Sequence, residues 1–153
     1  MSTAVKTRLT RRGIWRPEQV GGAVLVIQLS TLFACLTRGL DYLRRDNDVT
    51  SVLSRVQDSA PLPAWGSLFI GAAVIAVIGM IGRWGTLVGV GHFLAGISYG
   101  GIAFGLLLET DFGPGVRTPV GLFVTSLIHG AFGVGTFAML RQAEESEHPS
   151  PTA

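Results

Sequence analysis

The sequence predicts an all-α fold, an integral membrane four-helix bundle with a short amphipathic helix in its first outer loop. Only 14% of the residues are charged, whereas soluble domains carry about 25%, so charge this scarce cannot cover a surface that faces water. Glycine accounts for 21 of the 153 residues, and glycine is more frequent in membrane helices than in soluble ones.

Four apolar segments, at about residues 20–36, 64–82, 86–108 and 119–140, are the predicted membrane spans. Each is close to the ~20 residues that cross a hydrocarbon core of about 30 Å, and none contains Asp, Glu, Lys or Arg in its interior. A helix packed on a soluble core would show a polar face, and these segments have none. Residues 20–140 therefore form the predicted transmembrane domain, which contacts the lipid bilayer.

The basic residues predict that both termini are cytoplasmic and that the chain lies in the inner (plasma) membrane. Cytoplasmic segments carry an excess of Lys and Arg, and the segment before the first span usually dominates. With both termini inside, seven of the 12 basic residues are cytoplasmic: five in the arm 1–19, together with Arg83 and Arg141. The tail 141–153 is acidic and rich in Pro and Ser, which predicts disorder.

The outer loop 37–63 contains the predicted amphipathic helix. Asp48 could cap it, and its apolar residues recur at i, i+3, i+4 and i+7, namely Val49, Val52, Leu53 and Val56. Such a helix either lies flat at the interface or packs on the outer mouth of the bundle. Asp41 lies three residues after Arg38 and four before Arg45, a spacing that favours a helix continuing past the first span.

Glycines mark the predicted contacts between spans, because small residues let two helix backbones approach closely. The third span contains three Gly-x-x-x-Gly pairs, and the fourth span adds glycines of its own. The predicted helix-packing residues are Gly85, Gly89, Gly96, Gly100, Gly101, Gly105, Gly130 and Gly133.

Three polar residues are predicted to be buried between the spans: Gln28, His92 and His129. Ionisable groups inside a membrane are functional candidates by default, so three interpretations stay open: hydrogen bonds across the bundle, a proton or ion path, and haem ligation. At 1.5 Å per residue, His92 lies roughly 9 Å and His129 roughly 17 Å from the inner boundary. This offset counts against two axial ligands of one haem, so the favoured interpretation is structural and no cofactor is predicted.

The sequence contains no recognisable catalytic or metal-binding motif, and we expect a protein that is not an enzyme. Gly-x-Ser-x-Gly, a phosphate-binding loop and a zinc-protease helix are all missing from it. The carboxylates Glu109 and Asp111 follow the third span, where solvation explains them better than acid–base chemistry. A net charge of +2 without a basic stripe gives no indication of a nucleic-acid partner.

The single cysteine leaves an alternative reading of the first span open. The residues Leu32-Phe33-Ala34-Cys35 follow an Arg-rich arm and resemble a lipoprotein signal, in which the cysteine is lipidated after cleavage. Phe33 stands where such signals prefer a smaller residue. We therefore favour an ordinary membrane span.

Three short motifs resemble four-pass membrane proteins encoded by bacteriophages of high-GC Gram-positive hosts. They are Pro63-Ala64-Trp65-Gly66, Gly91-His92 and Gly115-Val116-Arg117-Thr118-Pro119. The resemblance spans most of the chain and implies a viral protein in the host's inner membrane. Holin-like lysis proteins and superinfection-exclusion proteins share this general form.

The leading hypothesis is a small, non-enzymatic multi-pass protein that acts by self-association or by binding a membrane partner. The alternative is a haem- or quinone-associated accessory subunit of a membrane electron-transfer complex, with His92 and His129 as the haem ligands.

Overall fold

The computed structural model describes residues 21–44, 53–111 and 113–147, and in this part of the chain it is entirely helical, without strands. The helices are α1 Gly22–Arg44, α2 Ser54–Ser59, α3 Leu62–Gly82, α4 Gly85–Thr110 and α5 Arg117–Glu147. All except α2 are long and apolar enough to cross a bilayer. The predicted all-α membrane fold, with four spans and a short helix after the first, is confirmed.

The four long helices pack mainly in chain order: α1 against α3, α3 against α4, and α4 against α5, whereas α1 and α5 scarcely touch. In the most apolar window of α4, 56% of the residues are buried, against 22% in α1 and in α5, so α4 is the centre of the bundle. We call the end that contains Gly22, Arg83 and Glu147 the terminal side. The opposite end, which contains Arg44, α2 and the connection between α4 and α5, is the loop side.

An aromatic cluster joins the first three long helices in the loop-side half of the bundle. The ring of Phe69 on α3 meets Tyr99 on α4 edge to face, with centroids 4.8 Å apart, and lies 5.9 Å from Tyr42 on α1. Cys35 is fully buried beside this cluster and donates its thiol hydrogen to the carbonyl oxygen of Phe69, with sulfur and oxygen 3.3 Å apart. The outward faces instead carry large apolar side chains, which suits contact with lipid.

The turn between α3 and α4 is very short. Arg83 adopts the left-handed conformation, with φ of 58°, and the amide of Trp84 donates to the carbonyl of Gly79 at 2.8 Å. This bond is typical of the cap that reverses a chain directly after a helix. The side chain of Trp84 then packs on Gly82.

Two helices extend beyond their predicted ends. The first continues to Arg44, eight residues past the predicted span end at Leu36, as the spacing around Asp41 favoured. The last continues to Glu147, so residues 141–147 are helical, although they belong to the segment for which we expected disorder. The predicted arm 1–19, the cap Asp48 and the final residues 148–153 lie outside the described residues.

The short helix α2 packs on the loop-side end of α4, which corresponds to the second of the two predicted placements. Leu53 and Val56 are buried, and a methyl group built on Gly105 would lie 2.6 Å from Val56. The Ser54 hydroxyl donates to the Glu109 carboxylate at 2.9 Å. Val49 and Val52, the first half of the predicted apolar stripe, lie outside the described residues.

Candidate functional site

The most unusual feature of the interior is a direct contact between His92 on α4 and His129 on α5. Their Nδ1 atoms are 2.9 Å apart, and both side chains are completely buried. One ring must donate the hydrogen and the other accept it. Two neutral imidazoles can do so only as different tautomers, one protonated at Nδ1 and the other at Nε2.

Small residues allow α4 and α5 to come close enough for this contact. A methyl group built on Gly96 would lie 3.2 Å from the carbonyl oxygen of Ser126 and 3.6 Å from Cβ of His129. The Ser126 hydroxyl in turn donates to the carbonyl of Gly96 at 2.8 Å. His129 is thus level with Gly96, four residues beyond His92, which corresponds to about 6 Å along the helix.

The offset in depth that the sequence suggested is therefore present, but the two side chains bridge it. The difference in depth does not keep the histidines apart. It was therefore not a sufficient reason to exclude a haem that both histidines ligate. The contact itself does not fit two axial ligands of one iron. Two axial imidazoles of one haem iron hold their nitrogens about 4 Å apart, on opposite sides of the ion, since each metal–nitrogen bond is about 2 Å long. Here the rings hydrogen-bond directly, and no space for a porphyrin remains between them.

Aromatic rings enclose the histidine pair on both sides. Tyr99 stacks on His129 with centroids 5.5 Å apart and planes 15° apart, and Phe132 lies 5.1 Å from His92. The guanidinium of Arg38 lies over the ring of Tyr99, 5.7 Å from its centroid. A row of stacked groups therefore runs from α1 through α4 to α5.

Neither histidine makes a hydrogen bond of normal geometry at its second ring nitrogen, although the backbone of Thr31 on α1 interacts with the His129 ring. The Nε2 atoms of His92 and His129 are buried and unpaired, as are Oε1 of Gln28 and Nε1 of Trp65. A buried polar atom without a partner costs about 1–3 kcal/mol, so each such atom calls for an explanation. The predicted burial of Gln28 is seen as well, with 2% of its surface exposed.

Most of the predicted packing glycines lie at helix contacts, but against three different neighbours. Gly85, Gly89, Gly96 and Gly100 face α5, where a methyl group would approach Leu140, Phe137 or Ser126, and Gly133 of α5 faces Phe93. Gly101 lies against Trp65 of α3, and Gly105 lies against Val56 of α2. A methyl group on Gly130 would meet nothing within 4 Å.

The closest helix crossings involve glycines that the sequence reasoning missed. A methyl group on Gly91 would lie 2.5 Å from the amide nitrogen of Ala76, and one on Gly79 would lie 2.6 Å from the amide of Val88. Tyr99 and Arg38 were missed as neighbours of the histidines too. In the sequence, Gly91 stands beside His92 but off the glycine stripe that we followed, so periodicity alone did not select it.

Compared with models of known protein families, with curated proteins and with solved structures, the chain matches none. Among the described residues, no group of three or more His, Cys, Asp or Glu side chains could hold a metal ion. The histidine pair is therefore interpreted from its own geometry.

Proposed function

We propose that this chain is a small, non-enzymatic membrane protein that acts by self-association in the inner membrane. The observation that supports this proposal is the outward face of α5. Ala131, Gly135 and Ala138 are exposed there, and a methyl group on Gly135 would meet nothing within 4 Å. Small residues spaced by three or four positions favour close contact with another helix.

The outward face of α1 also has small exposed residues, such as Ser30 and Ala34, so small residues alone do not distinguish the two helices. The difference is the exposed glycine in the middle of α5, Gly135, because residues 23–44 of α1 contain no exposed glycine. Both faces also carry large side chains, such as Phe33 of α1, which is 68% exposed, and Val134 of α5, which is 60% exposed. The partner that we propose for the small face of α5 is a second copy of the same chain.

The biological setting belongs to the proposal too. We propose a phage-encoded protein of the holin-like or superinfection-exclusion kind, with both termini in the cytoplasm. Three observations support this setting: the short motifs that resemble phage proteins, the basic arm before the first span, and the charged residues after the last one. A gene neighbourhood that contains an endolysin would support it further, and a cellular respiratory operon would contradict it.

Self-association can be tested by measuring energy transfer between labelled copies in liposomes as the protein-to-lipid ratio changes. Gly135→Leu should abolish the transfer, because a bulky side chain separates two closely packed helices. Val134→Leu is the matched control, since Val134 is exposed, already large and adjacent in sequence. Equal transfer for both variants, or no transfer for the unmodified chain, would contradict the proposal.

The haem- or quinone-associated subunit is the second candidate, and one observation favours it. The Nε2 atoms of His92 and His129 are buried and unpaired. A bare Nε2 could bind haem iron, and an Nε2–H group could donate to a quinone carbonyl. For one haem, the histidine rings would first have to separate. An absorbance spectrum of the purified protein tests this candidate, because a Soret band would support it over self-association alone.

A further inference from the structure

We propose that His92 and His129 form a proton-transfer site inside the membrane, which accepts a proton at one Nε2 and releases a proton at the other. The inference goes beyond the proposed self-association and does not depend on it. It rests on the 2.9 Å contact between the Nδ1 atoms and on the two buried Nε2 atoms that have no partner.

The tautomers of the pair define the transfer step. The ring that donates through Nδ1 has a bare Nε2, and the ring that accepts through Nδ1 carries its hydrogen on Nε2. A hydronium ion that reaches the bare Nε2 protonates the first ring. The hydrogen on Nδ1 of that ring then crosses to Nδ1 of the second ring, which releases its Nε2 hydrogen to water. One proton enters and one leaves, and only N–H bonds are broken and formed.

The step leaves each ring in the tautomer that the other had before. A second proton can follow in the same direction only after both rings have turned so that their Nε2 atoms face each other and their Nδ1 atoms face outward, because turning does not move a hydrogen between the nitrogens of one ring. Tyr99 and Phe132 pack against the rings, so this turning is slow compared with the proton transfer itself.

The position of the pair suits a transfer across the middle of the bilayer. His92 is seven residues from the start of α4 at the terminal side, or about 10 Å, and His129 is twelve residues from the start of α5 at the loop side, or about 18 Å. Together the two rings occupy the apolar centre, where an isolated charge is most costly.

On the loop side, polar groups continue from the pair towards the surface. Tyr99 stacks on His129, Arg38 lies over Tyr99, and a guanidinium nitrogen of Arg38 donates to the hydroxyl of Tyr42 at 3.4 Å. Arg38 is partly exposed, so this row ends at the surface of the bundle. On the terminal side, the buried hydroxyl of Thr136 instead donates to the carbonyl of its own helix at Phe132, 2.8 Å away.

Few other ionisable groups face the pair. The phenol ring of Tyr99 on α4 contacts His129, whereas Arg38 of α1 contacts Tyr99 and bonds to Tyr42. Cys35 of α1 bonds to the carbonyl of Phe69. Residues 62–82 of α3 contain no ionisable side chain, and residues 119–140 of α5 contain only His129 itself. The carboxylates of α1 and α4, Asp41 and Glu109, lie near the loop-side ends of these helices.

The experiment measures proton flux into liposomes that contain the full-length protein and a trapped pH-sensitive dye, driven by a potassium diffusion potential. The unmodified chain should conduct protons above the level of protein-free liposomes. His92→Gln and His129→Gln should each lose this flux, because an amide can hydrogen-bond but cannot accept and pass a proton. Thr136→Val is the matched control and should conduct normally, since the Thr136 hydroxyl bonds only within its own helix.

Three results would overturn the proposal: no flux above protein-free liposomes, undiminished flux in His92→Gln, or leakage of trapped calcein at a matching rate. The last would indicate an open hole. If the glutamine variants do not fold, nitrogen NMR of a ¹⁵N-histidine-labelled His148→Gln chain, which keeps only His92 and His129, still tests the pair. It should show one Nδ1–H and one Nε2–H tautomer, and identical tautomers would contradict the proposal. Gly135→Leu should retain the flux, which separates this test from that of self-association.

Discussion

Gly39 of α1 and Gly66 of α3 meet face to face, and a methyl group built on either would lie 2.8 Å from the carbonyl oxygen of the other. The next interface is as close, because a methyl group on Gly91 of α4 would lie 2.5 Å from the amide nitrogen of Ala76 on α3. Backbone atoms cannot move aside as the end of a flexible side chain can. These glycines therefore determine how closely neighbouring helices pack.

A single added methyl group should reveal this dependence. Gly91→Ala should lower the free energy of unfolding by about 1–3 kcal/mol, the usual cost of overpacking. Gly121→Ala is the matched control on the outward face of α5, where the new methyl group meets nothing, and it should leave stability unchanged. Thermal unfolding in detergent measures both, and equal melting temperatures would show that the close crossing is not required.

Substitutions of His92 should separate its structural role from its chemistry. His92→Leu leaves the Nδ1 of His129 without its partner, and we expect a loss of about 1 kcal/mol, the scale found for hydrogen bonds between membrane helices. His92→Gln can still donate and accept, so its stability should stay near that of the unmodified chain. Thermal unfolding of the two variants provides the comparison. A glutamine variant as unstable as the leucine variant would argue against a hydrogen bond at this position.

Labelling in intact cells should show on which side each loop lies. In a Cys35→Ser background, Ser59→Cys at the loop side should react with a membrane-impermeant maleimide, because we propose that this side faces outward. Ser146→Cys near the end of α5 should react only after the cells are opened. The reverse pattern would place the termini outside the cell.

The buried position of Cys35 predicts that it is an ordinary residue of the first span. The intact protein mass should include the N-terminal arm, and Cys35→Ser should still insert, because a serine hydroxyl can also donate to the carbonyl of Phe69. A product that begins at a diacylated Cys35 would contradict the helix α1 as described. Mass spectrometry of the purified protein distinguishes the two.

The spans could be predicted because each depends only on the composition of one stretch of chain. The continuation of α1 past its span could be predicted too, from the spacing of Arg38, Asp41 and Arg45. The contact of the Arg38 guanidinium with Tyr99 could not, because Tyr99 lies on the third span and such a partner cannot be read from local sequence.

The contact between His92 and His129 was missed for a related reason. Each depth was measured from the boundary of its own helix, but the contact depends on how α4 and α5 are rotated and on how far the two side chains reach. Gly39 and Gly66 could not be paired from sequence either, since neither belongs to a Gly-x-x-x-Gly motif within a predicted span.

The contacts between long helices join mainly neighbours in the chain, and this has a consequence for biosynthesis. Chains rich in local contacts fold fastest, and a nascent chain delivers its N-terminal part first. The helix α3 can pack on α1 as soon as both have entered the bilayer, and the short turn at Arg83 then brings α4 directly against α3. Because α5 makes few contacts with α1, each helix can pack against its main partner as it leaves the insertion machinery, before the following helix has been synthesised.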